Sequence, residues 1–380
     1  MNDHNQLLLS PIQWNHTWGE LITRAGLITL DKASMLNWAA FVCMKDVCEH
    51  IINNNIPFKG KVVMLLGDFW QTCPVIPGGT QMEIIDVCIQ SSPLWTEFQI
   101  TWLTQLIQNA EDLIYAKFMN AIEDGAGPEI NIHLLSCTTE VEAIIDFVFP
   151  QHILYDPLTC LLCAILAPTN KQVNEYNSII LGHVDGEYRE YYAADTLKEA
   201  IDAGIDAIDF DQSMLDYVVW QTPHSLPPHW LQIKKNAIYC LLRNFSIDRQ
   251  LVKNAHVMVT ELGNQIITVR VLRHPPVFND EIVEDIIIPR ITFSHILPSG
   301  HTLLCWQFPL ALAYTTTIHS SQGQTFDKVR IDLTKPVFTH GQLYTALSRV
   351  RCRDDTSLRL QINQVTTKNV TFHDILLPSV

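Results

Sequence analysis

Positive charge is what this chain has least of. Against 40 Asp and Glu stand 25 Lys and Arg in 380 residues, a formal net charge of -15 at pH 7. A broad surface that grips nucleic-acid phosphates needs a Lys/Arg excess, so this balance argues against one but does not exclude a narrow basic groove. Long apolar runs are missing too. None approaches the ~20 residues of a membrane span, and no apolar signal opens the sequence. The ten cysteines follow no disulfide framework. Cys160 and Cys163 form a C-x-x-C with no second pair at zinc-like spacing, which predicts core thiols in an apolar strand and a reducing intracellular compartment.

What is present is core. Hydrophobic residues make up 47% and charged residues 17%, the balance of a globular chain long enough for two or three domains. The central stretch is residues 58–75. Residues 62–66 are a continuous apolar run, which predicts a central strand of a parallel sheet covered on both faces. Gly67-Asp68 ends it and puts a carboxylate at the strand's C-terminal end, the edge where open α/β sheets bind ligands. Gln71 follows one turn later. Such an exit suits a site that senses a phosphate or a polarised water; the alternative is an Asp turn at a strand end.

Around it, apolar spacing predicts helices over 18–25, 35–52, 81–90 and 110–122, with strands over 27–30 and 102–105. A Gly/Pro cluster at 124–128 marks a boundary. Beyond it come a helix over 140–148, a strand over 160–166 and a helix over 171–180 with Asn170 as its cap. An acidic stretch over 196–216 reads as a solvated linker or surface helix. From 231 to 309 short β-rich runs alternate with turn residues, as in a small antiparallel barrel or curled sheet. A buried run over 310–318, a strand over 329–333 and a helix over 341–350 then return to the alternating pattern of an α/β domain.

In that order lie residues that resemble one family. The stretch 65–75 resembles the G-G-D-F-R-Q-x-x-P-V motif of the petite-integration-frequency (Pif) type DNA helicases, in the RecD-like branch of superfamily 1. Pro57-Phe58-x-Gly60-Lys61, Ser92-Pro93-Leu94-Trp95, Ala167-Pro168-Thr169-Asn170, Leu226-Pro227-Pro228-His229, Ser321-Gln322-Gly323-Gln324-Thr325-Phe326 and Tyr344-x-Ala346-Leu347-Ser348-Arg349 fit in sequence order. They look most like the helicase of Helitron transposons. The resemblance covers about residues 18 to 355. It implies an α/β fold with two RecA-like parallel-sheet domains, the first incomplete. The domains would run over 1–127, over 128–225 with 310–380, and over an inserted Src-homology-3-like barrel at 226–309. It implies ATP and Mg²⁺ as cofactors, single-stranded or forked DNA as partner, no membrane, and an intracellular location that is nuclear in a eukaryote. The activity would be 5′-to-3′ DNA unwinding driven by ATP hydrolysis.

Carried over position by position, the resemblance makes Asp31, Asp68, Gln71 and Arg349 catalytic. Asp31 would touch Mg²⁺, and Gln71, Gln322, Gly323 and Arg349 would touch ATP. Pro168, Thr169, Asn170, Ser321 and Gln322 would face DNA. Departures fall on the same ground. No G-x-x-x-x-G-K-[ST] phosphate cradle occurs in the 380 residues; the only Gly-Lys, Gly60-Lys61, opens a strand rather than a helix. Lys32 stands where the family has Glu, Trp70 and Gln108 where it has Arg, and His319-Ser320 where it has Asn-Lys. The expectation is a truncated, degenerate copy with little or no ATPase of its own and an N-terminal half missing or supplied elsewhere. The alternatives are a non-catalytic single-strand-binding module or an inert transposon relic.

Overall fold

The computed structural model describes residues 8–10, 12, 17–51, 57–103, 109–123, 127, 129–198, 226–273, 285–297 and 301–377. The chain divides into two compact units, Met1–Thr139 with Thr317–Thr325 and Ile331–Val380, and Glu140–Thr316 with Phe326–Arg330. Both mix helices and strands, the α/β class that the sequence predicts.

In the first unit a helix, Thr17–Arg24, leads into the strand Leu27–Leu30, and a second helix, Trp38–Ile51, crosses over to the strand Val62–Leu65. The two strands pair in parallel from Leu27↔Val62 to Leu30↔Leu65, which a helical crossover of this length permits. Lys61 fixes the entry to the second strand. Its ammonium donates to the carbonyls of Thr23 (3.0 Å) and Ala25 (2.6 Å) at the end of the first helix, where a cation meets the negative end of the helix dipole. The only Gly-Lys of the sequence thus serves as a helix cap. Beneath the pair, Phe41, Phe58, Cys48 and Ile89 are buried, with Ile28, Leu30, Val63, Leu65 and Phe98 packed on them. The rings of Phe41 and Phe58 lie 5.6 Å apart.

The other face corrects the sequence reading. The Val62–Leu65 strand is not covered on both sides. Val62 (61%), Met64 (46%), Leu66 (42%) and Leu27 (50%) are exposed, and among the described residues the sheet has two strands. The apolar run signals burial on two faces, and the described helices supply one. The strand predicted over 102–105 is also absent as far as it is described. Trp102 and Leu103 form no strand, and Leu103 is 94% exposed. Gln105 and Gln108 lie outside the described residues, as does nearly all of the acidic stretch. The unit also holds the helix Leu113–Glu123, the parallel pair Thr356–Arg359 with Ser136–Thr138, and the short helix Gln342–Leu347.

In the second unit the strand Cys163–Ala167 is buried throughout. It runs between Thr315–Thr317 and Lys328–Asp332, whose first three residues belong to this unit. Cys160 ends a helical turn, Pro157–Cys160, rather than starting the strand. Burial pushes the Cys160 and Cys163 thiols up to about 12 and about 11, so both stay protonated core groups. The β-rich region follows. A five-stranded sheet runs in the order Asp285–Pro289, Ile266–Val271, His256–Leu262, Ile238–Leu241, Leu310–Leu312. A three-stranded sheet runs Ile291–Ile296, Thr302–Gln307, Ala194–Lys198, and Tyr188–Tyr192 pairs with Trp230–Lys234. The run 233–242, read as one strand, breaks in two because Asn236 takes φ 66°, a left-handed turn that Asn tolerates.

Candidate functional site

Asp31 and Asp68 leave adjacent parallel strands at the same edge, just beyond the Leu30↔Leu65 pair. Asp68 folds the exit back on itself: Oδ1 accepts the Trp70 N–H (2.9 Å) and Oδ2 accepts the Gln71 side-chain amide (3.1 Å). Asp31 is exposed, and its Oδ1 accepts the N–H of Lys32 (2.8 Å).

The short helix Gln342–Leu347 holds the Asp68–Thr72 turn from behind. Thr345 Oγ1 accepts the Thr72 N–H at 3.1 Å. The buried His340 donates from Nε2 to the Phe69 carbonyl (2.8 Å), while its Nδ1 accepts the Phe372 N–H (2.9 Å). These partners fix one neutral tautomer, and burial pushes the imidazole below its ordinary value.

The Ser321–Gln324 turn is buried at Ser321 and Gln322 and turns at Gly323 with φ +81°. Three side chains hold it. Thr72 Oγ1 donates to Gln322 Oε1 at 2.8 Å. Lys32 Nζ donates to the Gln322 carbonyl at 2.7 Å. The buried Arg349 donates from Nη1 to the carbonyls of Gln324 (3.0 Å) and Ser321 (3.4 Å), from Nε to the Thr345 carbonyl (2.8 Å), and from Nη2 to Ser348 Oγ (2.8 Å). Burial disfavours the Arg349 charge, and Tyr344 and Asp68 oppose that effect.

The structure therefore gathers Asp31, Asp68, Gln71, Ser321, Gln322, Gly323 and Arg349 in one unit, with the hydrogen bonds above linking Asp68 to Gln71, Thr72 to Gln322, and Gln322 and its neighbours to Lys32 and Arg349. Pro168, Thr169 and Asn170 belong to the other unit, between the strand Cys163–Ala167 and the helix Asn170–His183. There the cap is Thr169, whose Oγ1 accepts the Gln172 N–H, and not Asn170, the helix's first residue. Thr72, Thr345, His340 and Gly341 were not read from the sequence. Gly341 carried the one usable signal, a glycine directly before a helix.

The carboxylates do not make a ready Mg²⁺ cage. Both Asp68 oxygens already accept hydrogen bonds, an ammonium-bearing residue follows Asp31, and among the described residues no cluster of three or more His, Cys, Asp or Glu could hold a metal.

Residues 2–126 match the family model described as PIF1-like helicase. Over 394 residues the chain is 24% identical to the ATP-dependent DNA helicase PIF1 of Emericella nidulans, covering 92% of this chain and 48% of that protein. Its identity to the PIF1 helicase of Danio rerio is 27%, covering 85% and 44%. The chain spans about half the length of these curated relatives. Among solved structures, Bacteroides Pif1 bound to ssDNA superposes with a TM-score of 0.64 at 20% identity, covering 98% of this chain and 78% of that one. Pif1 helicase from Candida albicans gives 0.61 at 22%, covering 94% and 77%. The superpositions carry the fold.

Proposed function

We propose, from the premise that this chain belongs to the PIF1-like helicase family, that it is the single-strand-engaging part of a 5′-to-3′ DNA helicase and by itself turns over little or no ATP. The observation that supports this most is Arg349. A finger that stabilises a γ-phosphate in flight needs free N–H groups, and this guanidinium makes four hydrogen bonds within its own unit. The lack of a phosphate cradle in the 380 residues points the same way. ATP, Mg²⁺ and duplex opening at forks then require a cradle from a further segment or a second chain. The bare apolar face of Leu27, Val62, Met64 and Leu66 is a surface such a segment would cover.

On this reading the turn that carries the buried Ser321 and Gln322 meets single-stranded DNA at its exposed Gly323 and Gln324, through few phosphates, as befits a net charge of -15. In the second unit Pro168 is buried, which leaves Thr169 and Asn170 as the residues open to such a contact. The test is an ATPase assay of the purified chain with and without single-stranded DNA, alongside anisotropy on a labelled oligonucleotide. DNA binding that weakens with salt and no stimulated hydrolysis are expected. Turnover that Arg349→Ala abolishes overturns the ATPase part, and no binding at low salt overturns the DNA part.

A further inference from the structure

Lys32 stands where a carboxylate was expected, and its side chain makes a specific contact. The residue adopts the left-handed conformation, φ 58° and ψ 44°, uncommon for a residue with a long side chain. Asp31 accepts its N–H, and the side chain runs to the Ser321–Gln324 turn. There Nζ meets the Gln322 carbonyl at 2.7 Å. The end of the side chain also lies against Gly323: a Cβ added there would stand 2.8 Å from Lys32 Cε and 3.1 Å from Nζ. The φ of +81° favours glycine at 323, and the flexible end of Lys32 packs against the space a side chain would take. From the other side Arg349 takes the carbonyls of Ser321 and Gln324. Three carbonyls of one turn are answered by two side-chain cations.

We infer that Lys32 is a positioning residue that fixes the Gln322–Gly323 turn with a built-in positive charge, so that the order of this turn needs no divalent cation. The charged donor engages the carbonyl directly, and its geometry is set by the strand end that carries it. Any consequence for DNA binding rests on the reading of this turn given above; the positioning itself does not.

Hydrogen exchange of the full chain, read on peptides across 319–326, tests this. The Gln322 and Gln324 amides bond the carbonyls of His319 and Ser321, so their protection reports the turn. The wild type is expected to exchange equally slowly in Mg²⁺ and in EDTA. Lys32→Met should speed exchange there about tenfold or more, as befits loss of a hydrogen bond to a charged donor, and Lys32→Arg should restore most of it. Unchanged exchange in the buried strand around Ile331 shows that the variants are folded. Protection that vanishes in EDTA, or a Lys32→Met chain indistinguishable from wild type, overturns the inference. Oligonucleotide binding measured on the same proteins is a separate result: its absence in wild type removes the DNA reading and leaves the exchange outcome standing.

Discussion

The Trp70 carbonyl oxygen lies 2.5 Å from the point where a Cβ on Gly341 would stand, and the Gln71 carbonyl oxygen 2.6 Å. Gly341, at φ +69°, is the residue that caps the helix Gln342–Leu347. The Asp68–Thr72 turn and this helix can approach so closely only because position 341 has no side chain. Gly341→Ala should therefore cost about 2–3 kcal/mol of stability, from left-handed strain and the clash with backbone. Urea unfolding checks the magnitude, and a loss within 0.5 kcal/mol would show that the turn can retreat (about the noise of a surface change).

His340 gives the site a pH dependence of known sign. Burial, the largest effect, lowers its folded value below the ordinary 6.5; the Phe69 carbonyl and Asp68 oppose it, and His373 assists. A depressed imidazole binds protons more readily unfolded than folded, so its contribution is complete above about 6.5 and is lost as pH falls below that. His319 and His256 shift in the same direction by burial. Urea midpoints should fall between pH 7.5 and 5 by more in wild type than in His340→Asn (the window around the ordinary histidine value of about 6.5). Equal slopes would remove His340 as a source.

The bare face of the Leu27–Leu30 and Val62–Leu65 pair separates two kinds of apolar residue. Val62→Thr and Met64→Gln should change stability by no more than about 0.5 kcal/mol, since they exchange exposed surface. Phe41→Ala on the opposite side, fully buried, should cost about 3–5 kcal/mol. A large loss for the Val62 and Met64 variants would mean that this face is covered in solution, and analytical ultracentrifugation would then distinguish self-association from folding.

That contrast also marks what the sequence made legible. Apolar spacing located the helices Trp38–Ile51, Leu113–Glu123 and Val141–Val148 to within a few residues, because a helix's buried stripe is a local pattern. Strand burial is not local. Residues 62–66 read as doubly covered, yet covering a second face depends on elements that the run itself does not encode. At the site, the motifs grouped Asp68, Gln322 and Arg349, and the structure places them in one unit. Their partners came from contacts far apart in the chain: Thr72 with Gln322, Lys32 with Gln322, Gly341 with Trp70. Lys32 read as a lost carboxylate, and only the fold supplied the carbonyl that it holds.

Arg349 offers the sharpest separation of charge from shape. Removing it leaves the carbonyls of Thr345, Ser321 and Gln324 without this donor in a buried setting, so Arg349→Ala should cost about 2–4 kcal/mol. Arg349→Lys keeps the charge but should recover less than half of that loss. An ammonium is a single point on a flexible stem, whereas the guanidinium reaches Thr345 with Nε, Ser348 with Nη2 and the turn with Nη1. Thermal and urea unfolding of the two variants gives the comparison. Full recovery by lysine would mean that net positive charge near Asp68 and Tyr344, and not the planar fork that joins the helix end to the turn, is what position 349 supplies.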